Sequence, residues 1–191
     1  MNRPQPISDD DTDLVLRVGE GDARAYHELC SRHAARIRAF VLRLLQNDAD
    51  ADDVVQETFL RLWLHASEYE PRARVVTWLC QIAHNLAVDR LRTRQRLRPL
   101  PDDEAMPISA RQPRLLDEKR RAEALERAIA ALPERQAAAI ELVHRQGLTG
   151  AEASEVMGVG AEALESLLSR ARRALKAELA SFSQRDAEGH A

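Results

Sequence analysis

Asp48–His65 reads DADADDVVQETFLRLWLH. Wound at ~100° per residue, it places Val55, Thr58, Phe59 and Leu62 on one stripe, a satisfactory core face. A second stripe carries Asp53, Gln56, Glu57, Leu60, Trp63 and Leu64, so acids and large apolar groups share what should be a solvated face. Two readings stay open on pattern alone. In one, the helix is buried on two sides and its acids merely favour the positive helix N-terminus. In the other, it is a docking helix whose leucines bury against a basic partner while Asp53 and Glu57 orient it.

The same helical period extends outward. Ala, Leu, Arg and Glu dominate the chain, and apolar residues recur at spacings of three and four. No glycine falls between Gly21 and Gly147, where a phosphate-cradling loop or a run of hairpins would need them. The fold class expected is all-α: two small helical domains joined by a flexible linker, the second containing a helix-turn-helix. Helices are expected over 12–19, 22–45, 50–65 and 75–93, then 117–131, from Pro133 to 144, 149–157 and 161–179. The last two, separated by Gly158-Val159-Gly160, have helix-turn-helix spacing.

Six of the seven aromatic residues precede residue 80 and only Phe182 follows it, so the two halves are expected to have different cores. Pro99, Pro101, Pro107 and Pro113 mark a linker between them. The expected boundaries are 10–97 and 117–180, with 98–116 as linker and 181–191 as tail.

The 191 residues are 45% hydrophobic and 31% charged, with a net charge of −3, which excludes a collagenous chain, a strongly disordered one and a uniformly basic nucleic-acid coat. The longest run without Asp, Glu, Lys or Arg, Val75 to Val88, is shorter than the ~18 apolar residues of a membrane span. The acidic N-terminus lacks the apolar core of a secretion signal, so a cytoplasmic location is expected. Cys30 and Cys80 form neither a disulfide framework nor a CxxC site. His27, Cys30 and His33 are metal-ligand types, but on a helix the two histidines point ~240° apart. No metal, cofactor or catalytic grouping is expected, and no apolar heptad seam is left over for a dimer, so the free chain is expected to be a monomer.

Positive charge is local. Seven arginines stand against one acid, Asp89, between Arg72 and Arg98. The helix from Val75 turns Val75, Leu79, Ile82 and Leu86 inward and Thr77, Gln81, His84, Asn85, Val88 and Arg92 to the other side, a plausible nucleic-acid face beside Arg72 and Arg74. Trp78 and Asn85 could line a pocket for an unstacked base, although a tryptophan there is more often core. In the last helix Leu164, Leu168, Ala171 and Leu175 pack inward. Glu162, Ser166, Ser169, Arg170 and Arg173 face out, where such a helix can enter a major groove.

The order of these parts resembles the extracytoplasmic-function (ECF) sigma factors of bacterial RNA polymerase. The resemblance covers about residues 10–180. It rests on Asp52-Asp53-Val54-Val55-Gln56-Glu57-Thr58-Phe59-Leu60-Arg61-Leu62-Trp63, followed by Thr77-Trp78-Leu79, Ile82-Ala83, Asn85-Leu86-Ala87 and Asp89-Arg90-Leu91-Arg92. Leu132-Pro133 to Gly147-Leu148 and Leu168 to Leu175 look like the family's second domain. The resemblance implies that Asp53, Gln56, Glu57, Leu60 and Trp63 engage the coiled coil of the polymerase β' subunit. It implies that the loop from Ala66 to Arg74 and the helix to Arg92 bind the promoter −10 element and capture an unpaired base, while the helix-turn-helix reads the −35 element. An anti-sigma factor commonly covers these surfaces. Where similar proteins carry a lysine and an arginine flanking a serine, this chain has Glu165-Ser166-Leu167, which shifts the expected −35 contact onto Ser166, Arg170 and Arg173.

Two other classes compete with a promoter-specificity subunit. A stand-alone helix-turn-helix regulator leaves the acidic-apolar stripe unexplained. An adaptor that binds polymerase but no DNA leaves the arginine cluster unexplained.

Overall fold

The first corner is set by one carboxylate. Asp22 caps α2 (Ala23–Leu45) by accepting from the backbone N–H groups of Arg24 and Ala25, and it takes a 2.7 Å ion pair from Arg17 in α1 (Thr12–Gly19). Gly19 lets α1 end against the chain at Ser67, where a Cβ would meet backbone atoms at 3.0 Å. Gln46 ends α2 in the left-handed region (φ 50°), and Asn47 starts α3 (Asp48–His65) by accepting from the Asp50 N–H at 2.9 Å. A 3₁₀ turn over Ala66–Glu68 then leads to α4 (Val75–Leu97). The computed structural model that shows this describes residues 11–71, 73–97 and 115–188.

The second half holds α5 (Leu115–Ala130), α6 (Glu134–Ile140) prolonged by a π-helical turn over Glu141–Arg145, α7 (Gly150–Met157) and α8 (Ala161–Glu188). Pro133 stands at the N-cap of α6, one place before the first-turn position expected for it. Thr149 and Glu152 form a capping box at the start of α7, and Gly158 ends it at φ 61°. α8 continues to Glu188, nine residues past the expected end. Among the described residues there is no strand, as expected for an all-α chain, and no helix long and apolar enough to cross a membrane. Arg72 and residues 98–114, most of the expected linker, lie outside the described residues.

α1 to α4 pack around Leu29, Ile37, Phe40, Leu62 and Leu79, and the second half around Leu142, Leu164 and Leu168, all essentially inaccessible to water. Each such side chain contributes roughly 1.5–3 kcal/mol by burial. The expectation of two different cores needs correction, because one continuous apolar cluster runs through both halves. The small side chains of α4, Ala83 and Ala87, are fully buried and permit a close approach, with α7 packed on α4 and α6 packed on α2.

Polar groups seal the same seam. Arg36 donates through Nε to Gln146 Oε1 at 2.7 Å and through Nη2 to the Gln146 carbonyl. Gln46 donates to the Ala130 carbonyl at 2.8 Å. Arg43 reaches Glu126 at 3.3 Å and the buried Glu141 at 3.2 Å.

Candidate partner and nucleic-acid interfaces

α3 is not buried on two sides. Ala51, Val54, Thr58, Phe59 and Leu62 form its inner face, with Val55, expected there, only half-buried. On the outer face Asp53 and Gln56 are exposed and Glu57 half-buried, while Leu60, Trp63 and Leu64 keep 48%, 37% and 60% of their surface open to water. Exposed leucines and a tryptophan on one helix face form an apolar patch of the kind that serves as an interaction surface. The acids have local partners too: Asp53 lies 3.1 Å from Arg90 of α4, and Glu57 lies 2.8 Å from Arg61. A shallow cleft of about 530 Å³ runs between α3 and α4, bounded by Asp53, Gln56, Glu57 and Leu60 on one side and Leu86 and Arg90 on the other.

Around the start of α4, Trp78 is half-buried against Tyr69, ring centroids 5.1 Å apart, and the Tyr69 hydroxyl donates to the Ala73 carbonyl at 2.9 Å. These contacts fix the loop before α4 and open a cleft of about 420 Å³ beside Trp78, Gln81 and Ile82. Asn85, expected to share a pocket with Trp78, is exposed and does not line that cleft. Arg92 is exposed, 3.7 Å from Asp89.

Two residues expected on the outer side of α4 are instead buried. Thr77 is buried and donates to Glu152 at 2.9 Å. His84 is buried with its ring stacked on Phe40, and its Nδ1 has no hydrogen-bond partner among the described residues. Burial, reinforced by Arg135, lowers the His84 pKa to about 4. The inner face of α4 is correspondingly rotated: Val75, Val76, Leu79, Cys80, Ala83 and Ala87 are buried, whereas Ile82 and Leu86, expected inward, are half-exposed. Arg74 forks onto Glu152, Nε to Oε1 at 2.8 Å and Nη2 to Oε2 at 2.9 Å. Burial would raise the Glu152 pKa, but Arg74, the Thr149 N–H and the Thr77 and Thr149 hydroxyls hold it down to about 2. The arginine cluster is thus partly neutralised, with Arg90 on Asp50 at 2.9 Å and Arg94 3.6 Å from the same carboxylate.

On α8, Leu164, Leu168 and Ala171 are buried and Leu175 half-buried. Glu162, Ser166, Ser169, Arg170 and Arg173 are all exposed, so the helix presents the outer set that its period predicts. Glu165 is exposed beside Ser166, while Leu167 is half-buried against the core.

Two helical units of this geometry have counterparts. The family model described as Sigma-70 region 2 matches residues 29–97, and that described as Sigma-70, region 4 matches residues 122–175. The ECF RNA polymerase sigma factor SigE of Mycolicibacterium smegmatis is 32% identical over 188 residues, which cover 95% of this chain and 73% of that protein. The chain belongs to the ECF sigma factors. A second member, SigK of Mycobacterium sp. (strain KMS), is 30% identical over 180 residues, covering 90% of this ECF sigma factor and 92% of that one. Among solved structures, that of CnrH in complex with the cytosolic domain of CnrY superposes with a TM-score of 0.66 at 26% identity, over 91% of this chain and 99% of that chain. The sigma factor RpoE from Bartonella quintana, solved in complex with the anti-sigma factor NepR, shares the fold at 22% identity, with a TM-score of 0.66 over 82% of this chain and 98% of that chain.

The sequence reading missed the groups that reach across this sigma factor's seam: Arg36, Gln146, Glu152 and, in the cleft beside Trp78, Glu155. The capping-box spacing Thr149-x-x-Glu152 was visible in sequence, but nothing local marks Glu152 as the partner of a side chain 78 positions away.

Proposed function

We propose that this ECF sigma factor binds core RNA polymerase and directs promoter-specific initiation, acting as a specificity subunit and not as an enzyme. The observation that carries this reading is the outer face of α3, where Leu60, Trp63 and Leu64 stay in water beside Asp53 and Glu57. The apolar groups supply the buried centre of an interface and the acids set its orientation on a basic partner, the β' coiled coil. Gln56 extends the same face.

The unit from residue 10 to 97 then takes the −10 element through Arg72, Arg74, Thr77, Trp78, Gln81, His84, Asn85 and Arg92. The cleft beside Trp78 and Gln81 has the size and mixed lining for an unstacked base. The arginines at the end of α4 hold the backbone. The unit from 117 to 180 takes the −35 element through Ser166, Ser169, Arg170 and Arg173, with Glu162 at the rim. Control by an anti-sigma factor in the cytoplasm fits the solved relative that is bound to one.

Co-elution with core RNA polymerase tests the reading. The wild-type chain forms a stable complex, and the Asp53→Lys/Glu57→Lys variant, whose fold is checked by circular dichroism, does not. Equal complex formation by both removes the docking role of α3. Absence of any complex with the folded chain, together with specific duplex binding, favours a stand-alone regulator.

A further inference from the structure

Thr77 and Arg74 are assigned to nucleic acid, yet both are occupied from inside the chain. The Glu152 carboxylate receives Arg74 Nε and Nη2 at 2.8 and 2.9 Å and the Thr77 hydroxyl at 2.9 Å. A guanidinium fork plus a hydroxyl is the donor set that recognises two oxygens of a backbone phosphate. We propose that Arg74 and Thr77 form a backbone-phosphate site which Glu152 fills in the free chain, so that α7 closes over α4 as a clasp that a polyanionic strand displaces. This inference rests on the reading that α4 contacts nucleic acid.

Three features of the seam support it. Arg74 also donates to the Gly147 carbonyl at 3.1 Å, which places its charge beside the positive N-terminal end of α7. That position is unfavourable for a cation unless a carboxylate offsets it, and Glu152 is the carboxylate there. Glu155, one turn further along α7, lines the cleft beside Trp78 and Gln81, so the same helix puts a second acid into the space assigned to nucleic acid. Finally, Thr77, one of the residues that the promoter strand would need to reach, is buried with its hydroxyl on Glu152 of α7.

Cys80 supplies the probe. It is fully buried on α4, within range of the charges of Arg36, Arg74 and Glu152, and the chain's other cysteine, Cys30, can be changed to serine. In the full-length Cys30→Ser chain, the rate at which an aromatic disulfide reagent labels Cys80 reports opening of the seam. Glu152→Gln keeps a side chain able to complete the capping box but removes the anion. It should speed labelling about tenfold, the scale set by losing a charge-assisted pair. Arg74→Gln should do the same from the other side, and the double variant should add little. A mixed-sequence single-stranded DNA 20-mer should accelerate labelling of the Glu152 chain, and a peptide nucleic acid of the same sequence, which lacks phosphates, should not.

Unchanged labelling in both single variants, with melting temperatures kept, overturns the clasp while leaving polymerase and promoter binding untouched. Faster labelling in the variants combined with equal acceleration by the two oligomers overturns the phosphate assignment. Faster labelling in the variants with no DNA binding by any chain, even joined to core polymerase, overturns the phosphate site through failure of the underlying nucleic-acid reading, a result distinguishable from the first two.

Discussion

Tyr26 of α2 meets Trp63 of α3 edge to face, ring centroids 5.2 Å apart and planes at 77°. The contact fixes the orientation of a tryptophan that keeps more than a third of its surface in water. An aromatic pair of this kind contributes about 0.5–1.5 kcal/mol beyond burial. Tyr26→Ala should therefore lower affinity for core polymerase by about three- to tenfold, since a Trp63 free to change rotamer must be ordered on binding. Trp63→Ala should lower it further while the fold persists. Trp63 emission in the Tyr26 variant, with Trp78 changed to phenylalanine, should move to longer wavelength, and unchanged emission and affinity would count against the positioning role.

His84 predicts an acid-side loss of stability. An exposed histidine titrates near 6.5, whereas His84 is held at about 4, mainly by burial and further by Arg135. As pH falls from 6.5 the unfolded chain takes up a proton that the folded chain refuses until about pH 4. Its contribution to stability is intact above pH 6.5 and declines across that window, by on the order of 3 kcal/mol when complete. His84→Gln removes this slope, so urea denaturation of that variant should show a relative gain over wild type on going from pH 7 to pH 5. Parallel profiles for the two chains would place His84 in water.

Glu141 acts in the opposite direction. Its carboxylate is completely buried in the π-helical turn, faced by Arg43, Arg145 and Glu126, with Oε1 3.2 and 3.3 Å from the two arginines but in hydrogen-bond geometry with neither. Burial raises its pKa to about 7, against the pull of Arg43 and with a push from Glu126. A raised carboxyl favours the fold fully below its ordinary pKa and loses that contribution as pH rises through 7. Glu141→Gln should be more stable than wild type at pH 8 by on the order of 1–3 kcal/mol, with the difference vanishing near pH 4.5. Because His84 and Glu141 oppose each other, the wild-type profile should be flatter between pH 5 and 6.5 than that of either variant. A difference that grows as pH falls would reverse the assignment.

Much of this arrangement was legible because helical period reports what a helix does with its own two faces. The outer stripe of α3 and the outward set on α8 are of this kind, since both are open to water among the described residues. Two of the residues misplaced from sequence share one cause. Thr77 and His84 look outward on α4 because their polarity suits water, but α7 reaches Thr77 and Phe40 of α2 reaches His84 through contacts between residues tens of positions apart. The expectation of separate cores failed for a related reason: the aromatics are segregated, but the seam is built from alanines and a cysteine, which leave little pattern. Trp78 and Asn85 share a heptad spacing, yet the cleft turns toward Tyr69 and the loop, away from Asn85.

The two oxygens of Glu152 are not equivalent. Both accept from Arg74 across the seam, but Thr77 bonds to Oε1, while the N–H and hydroxyl of Thr149 at the start of α7 both bond to Oε2. The bonds to Arg74 and Thr77 can break while those to Thr149 endure, so under the proposed clasp α7 need not melt on opening. Such an opening would be a rigid-body motion, on the microsecond-to-millisecond scale of domain motions, and would not require a helix to refold. The capping box thus outlives the clasp, and α7 would meet whatever displaces Glu152 with its first turn intact.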